Sequence, residues 1–310
     1  MSSSPTNKPN TTRIALITAA VVLAFIASYY ARQAVNTSSD IIAPPSDYQR
    51  IIGLSPSIVE IIYQLEHAEQ LVGVSRFCHY PPEASQKTVV GGYVDLDYEA
   101  VLTLKPDCVI LLEEQRALAE KLEIMGVHTI ILDHTSTQGV IDSIAILGKA
   151  FSKESIANHI VQTMHTRVRT LKHQARRTDS RPRILVCIER DTNSAFPDRV
   201  IAAGNKGVHQ EYINMVNGVN AYQGPVAYPL LSREKLIHLN PDLIIELVRE
   251  DVWKDKGRET LMKQWQAYNE LKAVKNDRII FLHEHQHMIP GPRFIDTLEV
   301  FAQAAALPHE

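Results

Sequence analysis

Short apolar runs rich in β-branched residues alternate with helical stretches from residue 47 onward. Each run is apolar almost throughout, which is typical of parallel strands covered by helices on both faces. In the first half of the chain the runs lie at 50–54, 71–75, 107–112 and 128–133. Helical periodicity lies between them at 57–65 and 116–125, and Gly126 is a predicted helix end. The pattern predicts an α/β fold.

The same alternation restarts at Arg183, with apolar runs at 183–189, 242–247 and 277–284. One stretch is repeated: 100–112 (AVLTLKPDCVILL) aligns without gaps on 235–247 (KLIHLNPDLIIEL), an offset of 135 residues. A common helix-to-strand junction would explain the shared Pro-Asp pair.

The repeat also extends upstream of that junction. Tyr93 precedes Glu99 by six residues, and Tyr228 precedes Glu234 by the same six. A helix-to-strand junction does not explain these matched positions. We therefore predict two pseudo-equivalent lobes.

A long helix is predicted between the lobes. Apolar positions recur every three or four residues over 154–177, and Ser152 is the predicted N-cap. Such a helix would be about 36 Å long. The predicted organisation is an N-terminal lobe at 47–137, a connecting helix region at 138–178 and a C-terminal lobe at 179–310.

The N-terminus predicts an extracytoplasmic location. Residues 14–31 contain no charged side chain and are followed by Arg32. As a helix this run would span about 27 Å, enough to cross a bilayer core. Residues 1–32 are therefore predicted to be a membrane anchor or a signal segment, with the basic flank in the cytoplasm and 33–46 as a polar tether. Cleavage would release the protein into the periplasm.

Composition narrows the class of protein. The chain has 310 residues, is 45% hydrophobic and 22% charged, and carries a formal net charge of −3. These values exclude a wholly disordered chain and argue against nucleic-acid binding. The three cysteines form no C-x-x-C pair, and only Cys78 falls on a predicted loop where a thiol could react. No G-x-S-x-G or HExxH motif occurs, so we predict that the protein is not an enzyme.

Ligands of open α/β sheets bind beyond the carboxyl ends of the strands, and two lobes can direct those ends into one cleft. Polar and aromatic residues follow several predicted strands. Those of the first lobe are Ser55, Arg76, Phe77 and Tyr93, and those of the second are Glu189, Arg190, Tyr228 and Glu246. These residues are the predicted ligand contacts. Ser55 is also a candidate N-cap for the helix that follows.

Three alternating histidines, His283, His285 and His287, follow the last predicted strand. On an extended segment they would point to one side, about 7 Å apart at each step, so that two of them could bind one metal ion. The three residues are a candidate metal site. Direct contact with a bound ligand and a solvated polar loop are the alternatives.

Five blocks of the sequence resemble the class III substrate-binding proteins of ABC importers, which bind cobalamin, ferric siderophores or haem. The blocks are LSPSIVEIIYQL (54–65), VGVSRFCHYPPEA (72–84), VGGYVDLDYEAVLTLKPDCVI (90–110), YPLLSREKLIHLNPDLII (228–245) and PGPRFIDTLEVFA (290–302). The resemblance implies two Rossmann-like lobes bridged by one long α-helix. It implies no cofactor of the protein's own, although the ligand could carry cobalt or iron.

The closest pattern is that of the cobalamin-binding members. The resemblance implies that Glu99 and Glu234 form salt bridges with arginines of the permease. It also implies that Phe77, Tyr93 and Tyr228, with the loop of His285 and His287, face the ligand. The implied function is capture of a corrinoid or iron chelate between the lobes and its delivery to the permease. A two-lobed, chelatase-like enzyme and a ligand sensor acting through a partner remain alternatives.

Overall fold

The fold is given by a computed structural model that describes residues 48–177 and 181–306. The predicted anchor and tether, residues 1–32 and 33–46, lie outside the described residues. Within the described ranges, no helix is both long and apolar enough to cross a membrane.

The N-terminal lobe is a parallel sheet of five strands in the order β3-β2-β1-β4-β5. The strands are β1 (Ile51–Gly53), β2 (Leu71–Val74), β3 (Thr88–Val89), β4 (Cys108–Leu112) and β5 (Thr129–Leu132). The helices are α1 (Pro56–Gln64), α2 (Tyr98–Thr103) and α3 (Arg116–Ile124). All five residues of β4, the most apolar strand, are buried. Gly126 follows α3 with φ +80°, which confirms it as the helix end.

Two helices connect the lobes: α4 (Thr137–Ala150) and α5 (Glu154–Arg176). The long helix is confirmed as α5, and α4 is an addition to the one helix that the sequence predicts in this region. The predicted cap is wrong, because Lys153 occupies the N-cap of α5 and Ser152 has φ 53°. The two helices pack closely, since a Cβ on Gly148 would lie 2.3 Å from that of Ala157.

The C-terminal lobe has a mixed sheet of six strands. Five lie in the order β11-β10-β6-β7-β9, and β8 pairs with β6. The strands are β6 (Arg183–Arg190), β7 (Arg199–Ala202), β8 (Val219–Asn220), β9 (Leu230–Ser232), β10 (Leu243–Leu247) and β11 (Ile279–Leu282). The helices are α6 (Val208–Met215), α7 (Arg233–Leu239), α8 (Glu250–Gln266), α9 (Lys272–Lys275), α10 (His285–Met288) and α11 (Phe294–Ala306).

The sheet of the C-terminal lobe is parallel only in part. β6, β10 and β11 run parallel, as their apolar sequences predict. β7 is antiparallel to both β6 and β9. The sequence analysis missed β7, β8 and β9, which have only two to four residues each.

One hydrophobic core extends through both lobes. It includes Ile51 and Ile110 of the N-terminal sheet, Val186 and Ile245 of the C-terminal sheet, and Phe294 of α11. Because the core is continuous, separating the lobes would expose buried apolar surface, and this opposes wide opening.

The repeated sequence forms an equivalent helix–strand unit in each lobe. α2 leads into β4 and α7 leads into β10. Asp107 accepts hydrogen bonds from the backbone N–H groups of Gln49 and Arg50, at 2.6 and 3.1 Å. Asp242 accepts one from the backbone N–H of Arg183 at 2.9 Å. In both lobes the aspartate of the Pro-Asp pair therefore anchors the start of the neighbouring central strand.

Candidate ligand-binding cleft

A cavity of about 900 Å³ lies at the carboxyl ends of β6 and β10, where the topology of open α/β sheets predicts a ligand. Its lining is strongly charged. The charged residues nearest the two strand ends are Glu189, Arg190, Asp191, Glu246 and Arg249. The volume lies in the range of small-molecule sites.

The N-terminal lobe presents aromatic side chains at the carboxyl end of β2. Phe77 is 46% exposed and Tyr80 is 44% exposed, so both side chains are accessible from solvent. Arg76 forms an ion pair with Asp95 at 2.6 Å, which links this loop to the loop that carries Tyr93. The carbonyl of the partly buried Tyr93 accepts a hydrogen bond from Gln115 Nε2 at 2.8 Å.

In the C-terminal lobe the predicted contacts separate by exposure. Tyr228 is 60% exposed and Glu189 is also exposed. Arg190 and Glu246 are buried, and Arg190 Nε lies 2.8 Å from Glu246 Oε1, with each side chain only 1% exposed. Both residues line the cavity, but their side chains are almost wholly buried and pair with each other. Direct contact of these two side chains with the ligand stays a prediction.

Further hydrogen bonds hold this buried pair. Trp265 Nε1 donates to the second oxygen of Glu246 at 2.5 Å, and Arg190 Nη1 donates to Gln264 Oε1 at 2.7 Å. Burial raises the pKa of Glu246, and the Arg190 guanidinium opposes that shift. The pair forms a rigid base for the cavity.

Ser55 lies below the surface of the N-terminal lobe and is 1% exposed. Its Oγ lies 3.0 Å from Ser57 Oγ, which in turn lies 2.8 Å from His134 Nδ1. Ser55 occupies the N-cap position of α1 but makes no side-chain capping bond. The predicted N-cap position of Ser55 is confirmed, although its hydroxyl points into a buried link towards His134 and does not cap the helix. Its contact with a ligand stays a prediction.

The histidine segment is not extended, because His285–Met288 forms the short helix α10. Its side chains have different partners. His283 stacks on Trp253 with ring centroids 4.0 Å apart, while His287 Nδ1 lies 2.8 Å from Thr297 Oγ1. His285 meets the ring of His79, from the N-terminal lobe, edge-on at 6.4 Å.

The candidate metal site of His283, His285 and His287 is therefore not formed. Between residues 48 and 306, leaving aside 178–180, no three His, Cys, Asp or Glu side chains are arranged to hold a metal ion. Burial lowers the pKa of His285 and of His287, so both favour the neutral form.

A largely buried ion pair joins the lobes. Arg293 donates from Nε and Nη2 to the two carboxylate oxygens of Glu60, at 2.7 and 2.6 Å. The guanidinium also lies 3.8 Å from the ring centroid of Tyr80, and its Nη1 donates to Gln286. The sequence analysis missed this pair. The one signal for it was a charged residue, Glu60, within the apolar run of α1.

Cys78 is buried and 2% exposed, and burial raises the pKa of its thiol to about 11. The prediction that it could be reactive is wrong, because both burial and a high pKa suppress the thiolate.

The two glutamates of the repeat occupy equivalent positions. Glu99 is the second residue of α2 and Glu234 is the second residue of α7, and both are exposed. Asp97 and Ser232 cap the two helices by accepting hydrogen bonds from Ala100 N and Lys235 N.

A family model described as "Periplasmic binding protein" matches residues 51–285 of this chain. The chain belongs to the periplasmic binding protein family. This agrees with the prediction that it is a binding protein and not an enzyme. The two-lobed α/β fold agrees with the predicted class III architecture.

Two curated relatives and one solved structure illustrate the similarity. A vitamin B12-binding protein of Vibrio cholerae is 28% identical over 84% of this chain and 90% of its own length. An uncharacterised ABC transporter substrate-binding lipoprotein of Bacillus subtilis is 26% identical over 83% of this chain and 79% of its own length. The crystal structure of a periplasmic haem-binding protein from Pseudomonas aeruginosa has a TM-score of 0.69 and 22% identity, over 85% of this chain and 94% of its own.

Proposed function

We propose that this protein is the extracytoplasmic substrate-binding component of an ABC importer. It captures a corrinoid or an iron chelate between its lobes and delivers it to a permease. The observation that carries the proposal is an exposed aromatic side chain on each lobe: Phe77 is 46% exposed and Tyr228 is 60% exposed. Flat aromatic faces suit a flat macrocycle.

The relatives favour a corrinoid as the first ligand to test. Isothermal titration of the full-length protein with cyanocobalamin, haemin and a ferric siderophore compares the three chemistries. We expect a Kd of about 1 µM or below for one of them, equivalent to about −8 kcal/mol.

The substitutions Phe77→Ala and Tyr228→Ala should each weaken the binding of that ligand about tenfold. The matched control is Ile124→Ala, since Ile124 is 85% exposed at the far end of α3. Absence of binding to all three ligands at two temperatures would overturn the proposal.

Delivery to the permease is proposed to use Glu99 and Glu234 as paired docking carboxylates. Exposed charges at symmetric positions fix the orientation in which two proteins dock and accelerate their association, more than they increase the affinity. The double variant Glu99→Ala/Glu234→Ala should keep the wild-type Kd for the ligand but abolish its uptake by cells. The exposed carboxylates of Glu120 and Glu123 on α3 provide matched control substitutions. Uptake that survives the double change would contradict the docking role.

The lobe junction supports a closure of small amplitude. Glu60 and Arg293 cross from lobe to lobe, and the hydrophobic core is continuous below them. A packed core resists continuous deformation, so ligand capture would move loops at the cleft more than it moves the lobes.

The proposed location is the outer face of the cytoplasmic membrane. A family of periplasmic binding proteins and a lipoprotein relative support an extracytoplasmic site. Anchoring through residues 14–31 stays a prediction from the sequence. It would keep the receptor close to its importer and raise the local concentration there.

A further inference from the structure

Most positions of the repeated helix–strand unit have a structural role in both lobes. Val101 and its equivalent Leu236 are buried in the lobes. Lys105 and Asn240 both end their helices with positive φ, 46° and 41°. Besides the aspartates that anchor β1 and β6, an arginine side chain holds each helix end.

That arginine contact is also duplicated. Arg50 Nη2 donates to the carbonyl of Leu104 at 2.6 Å, and Arg183 Nη2 donates to the carbonyl of Leu239 at 3.0 Å. Packing and hydrogen bonding within each lobe therefore account for the residues that the repeat shares on its inner side. They do not account for two shared positions on its outer side.

The first of these positions is the glutamate, and the second is a large aliphatic residue three places later. Leu102 is 42% exposed, and its equivalent Ile237 is 36% exposed. Within residues 48–177 and 181–306, neither Glu99 nor Glu234 has an ion pair or a side-chain hydrogen bond. On a helix, positions i and i+3 are surface neighbours, so each lobe presents a carboxylate beside an apolar side chain.

The topology places both pairs at the edge of the cleft. α2 connects β3 to its parallel partner strand β4, so it runs antiparallel to β4 and begins at the carboxyl edge of the sheet. α7 leads into β10 in the same way. Glu99 and Glu234 therefore lie at the ligand-facing edge of each lobe, with Leu102 and Ile237 one turn behind.

We propose that Leu102 and Ile237 are the apolar half of a two-fold docking surface for the permease. The partner is an integral membrane protein whose two halves each present a cation beside a hydrophobic residue. The proposal rests on the function proposed above. The negative charge of the two glutamates selects a cationic partner, and the repetition at matched positions selects a two-fold one. The carboxylates guide encounter, while burial of Leu102 and Ile237 slows dissociation.

Photocross-linking in the cells of origin tests the proposal with the full chain. A benzophenone amino acid is placed singly at positions 99, 234, 102 and 237, and at 124 as the control. Ile124 is exposed and aliphatic but lies on α3, outside the repeat. We expect adducts at all four repeat positions with one and the same integral membrane subunit of an ABC importer, identified by mass spectrometry, and no such adduct at 124.

A second measurement separates apolar contact from mere proximity. With the cross-linker at position 99, the double change Leu102→Gln/Ile237→Gln should lower the adduct yield about tenfold, because two apolar side chains lose their burial on docking. Ile124→Gln should leave the yield unchanged. Because both side chains are exposed, the double change should not alter the melting temperature.

The outcomes distinguish the two proposals. Adducts at 99 and 234 without adducts at 102 and 237, or an unchanged yield in the double Gln variant, would overturn the apolar docking surface and leave the receptor function standing. Absence of an importer adduct at all four positions, in cells where position 124 is equally well expressed, would overturn both.

Discussion

The two lobes of this protein have the same helix–strand unit but different sheets around it. The N-terminal sheet is parallel throughout, whereas the C-terminal sheet becomes antiparallel at β7 and β9. The unit from α2 to β4 nevertheless matches the unit from α7 to β10 in its caps, its aspartate anchor and its arginine contact. The comparison shows that the repeated helix–strand unit has the same structure in both lobes, although the sheets around it differ.

The two sides of the cleft also differ in the side chains that they present. The N-terminal side has exposed aromatic rings and a solvated ion pair, Arg76 with Asp95, whose side chains are 51% and 59% exposed. The C-terminal side has a cavity above a buried ion pair, Arg190 with Glu246. One side therefore offers adaptable surface, and the other offers a fixed shape.

The largest expected effect comes from removing one charge from each ion pair. Glu246→Gln leaves the Arg190 guanidinium buried without a counter-charge, and should lower the free energy of unfolding by about 3–5 kcal/mol. Asp95→Asn makes the same chemical change in the exposed pair, and should cost at most about 1 kcal/mol. Urea unfolding of both variants measures the difference. Equal losses would show that the two pairs are not distinguished by burial.

The next effect is a dependence of stability on pH, to which a buried histidine of the N-terminal lobe contributes. Burial lowers the pKa of His134 from 6.5 to about 4. The unfolded chain therefore binds this proton at a higher pH than the folded chain does, and stability should fall as pH drops from about 6.5 towards 4. At pH 5 the loss should be about 1–2 kcal/mol.

His134→Gln should remove this part of the acid sensitivity, as measured by urea unfolding between pH 4.5 and 7.5. His285→Gln provides the comparison in the C-terminal lobe. It should remove less, because His285 is only half-buried although its pKa is lowered in the same direction. An unchanged pH slope in His134→Gln would contradict the linkage.

The smallest effect tests the equivalence of the repeated units. Asp107→Ala and Asp242→Ala each remove a carboxylate that accepts backbone N–H bonds at the start of a central strand. Each should lower the free energy of unfolding by about 1–2 kcal/mol. Asp107→Ala should cost more, since Asp107 accepts from two N–H groups and Asp242 from one. Thermal unfolding of the single and double variants measures both values. A loss confined to one lobe would break the equivalence.

Local pattern was enough to predict much of the fold. The apolar runs predicted β1, β2, β4, β5, β6, β10 and β11, and the repeat predicted two related lobes. Strands buried on both faces are apolar throughout, so the sequence marks them without reference to their neighbours. β3, β7, β8 and β9 were missed because they have only two to four residues each and do not stand out as separate apolar runs.

The candidate site was predicted only in outline. The loops were placed correctly, because the carboxyl ends of parallel strands define a cleft by topology alone. The sequence did not predict the orientation of individual side chains in those loops. Ser55, Arg190 and Glu246 lie at or beyond the ends of strands, yet all three side chains are buried. Ser55 contacts Ser57, and Arg190 pairs with Glu246, 56 residues away. Spacing along a chain carries no information on such pairing.

The sequence by itself determined the α/β class, the two lobes, the long helix between them and the exposed, duplicated glutamates. These features depend on short-range periodicity and on an internal repeat. Only the tertiary structure decided that the three histidines diverge, that Glu60 meets Arg293 across the lobes, and that Arg190 pairs with Glu246 at the cavity. The two ion pairs join residues that are far apart in the chain. A buried polar group needs a hydrogen-bonding partner, and the fold decides which partner comes within reach.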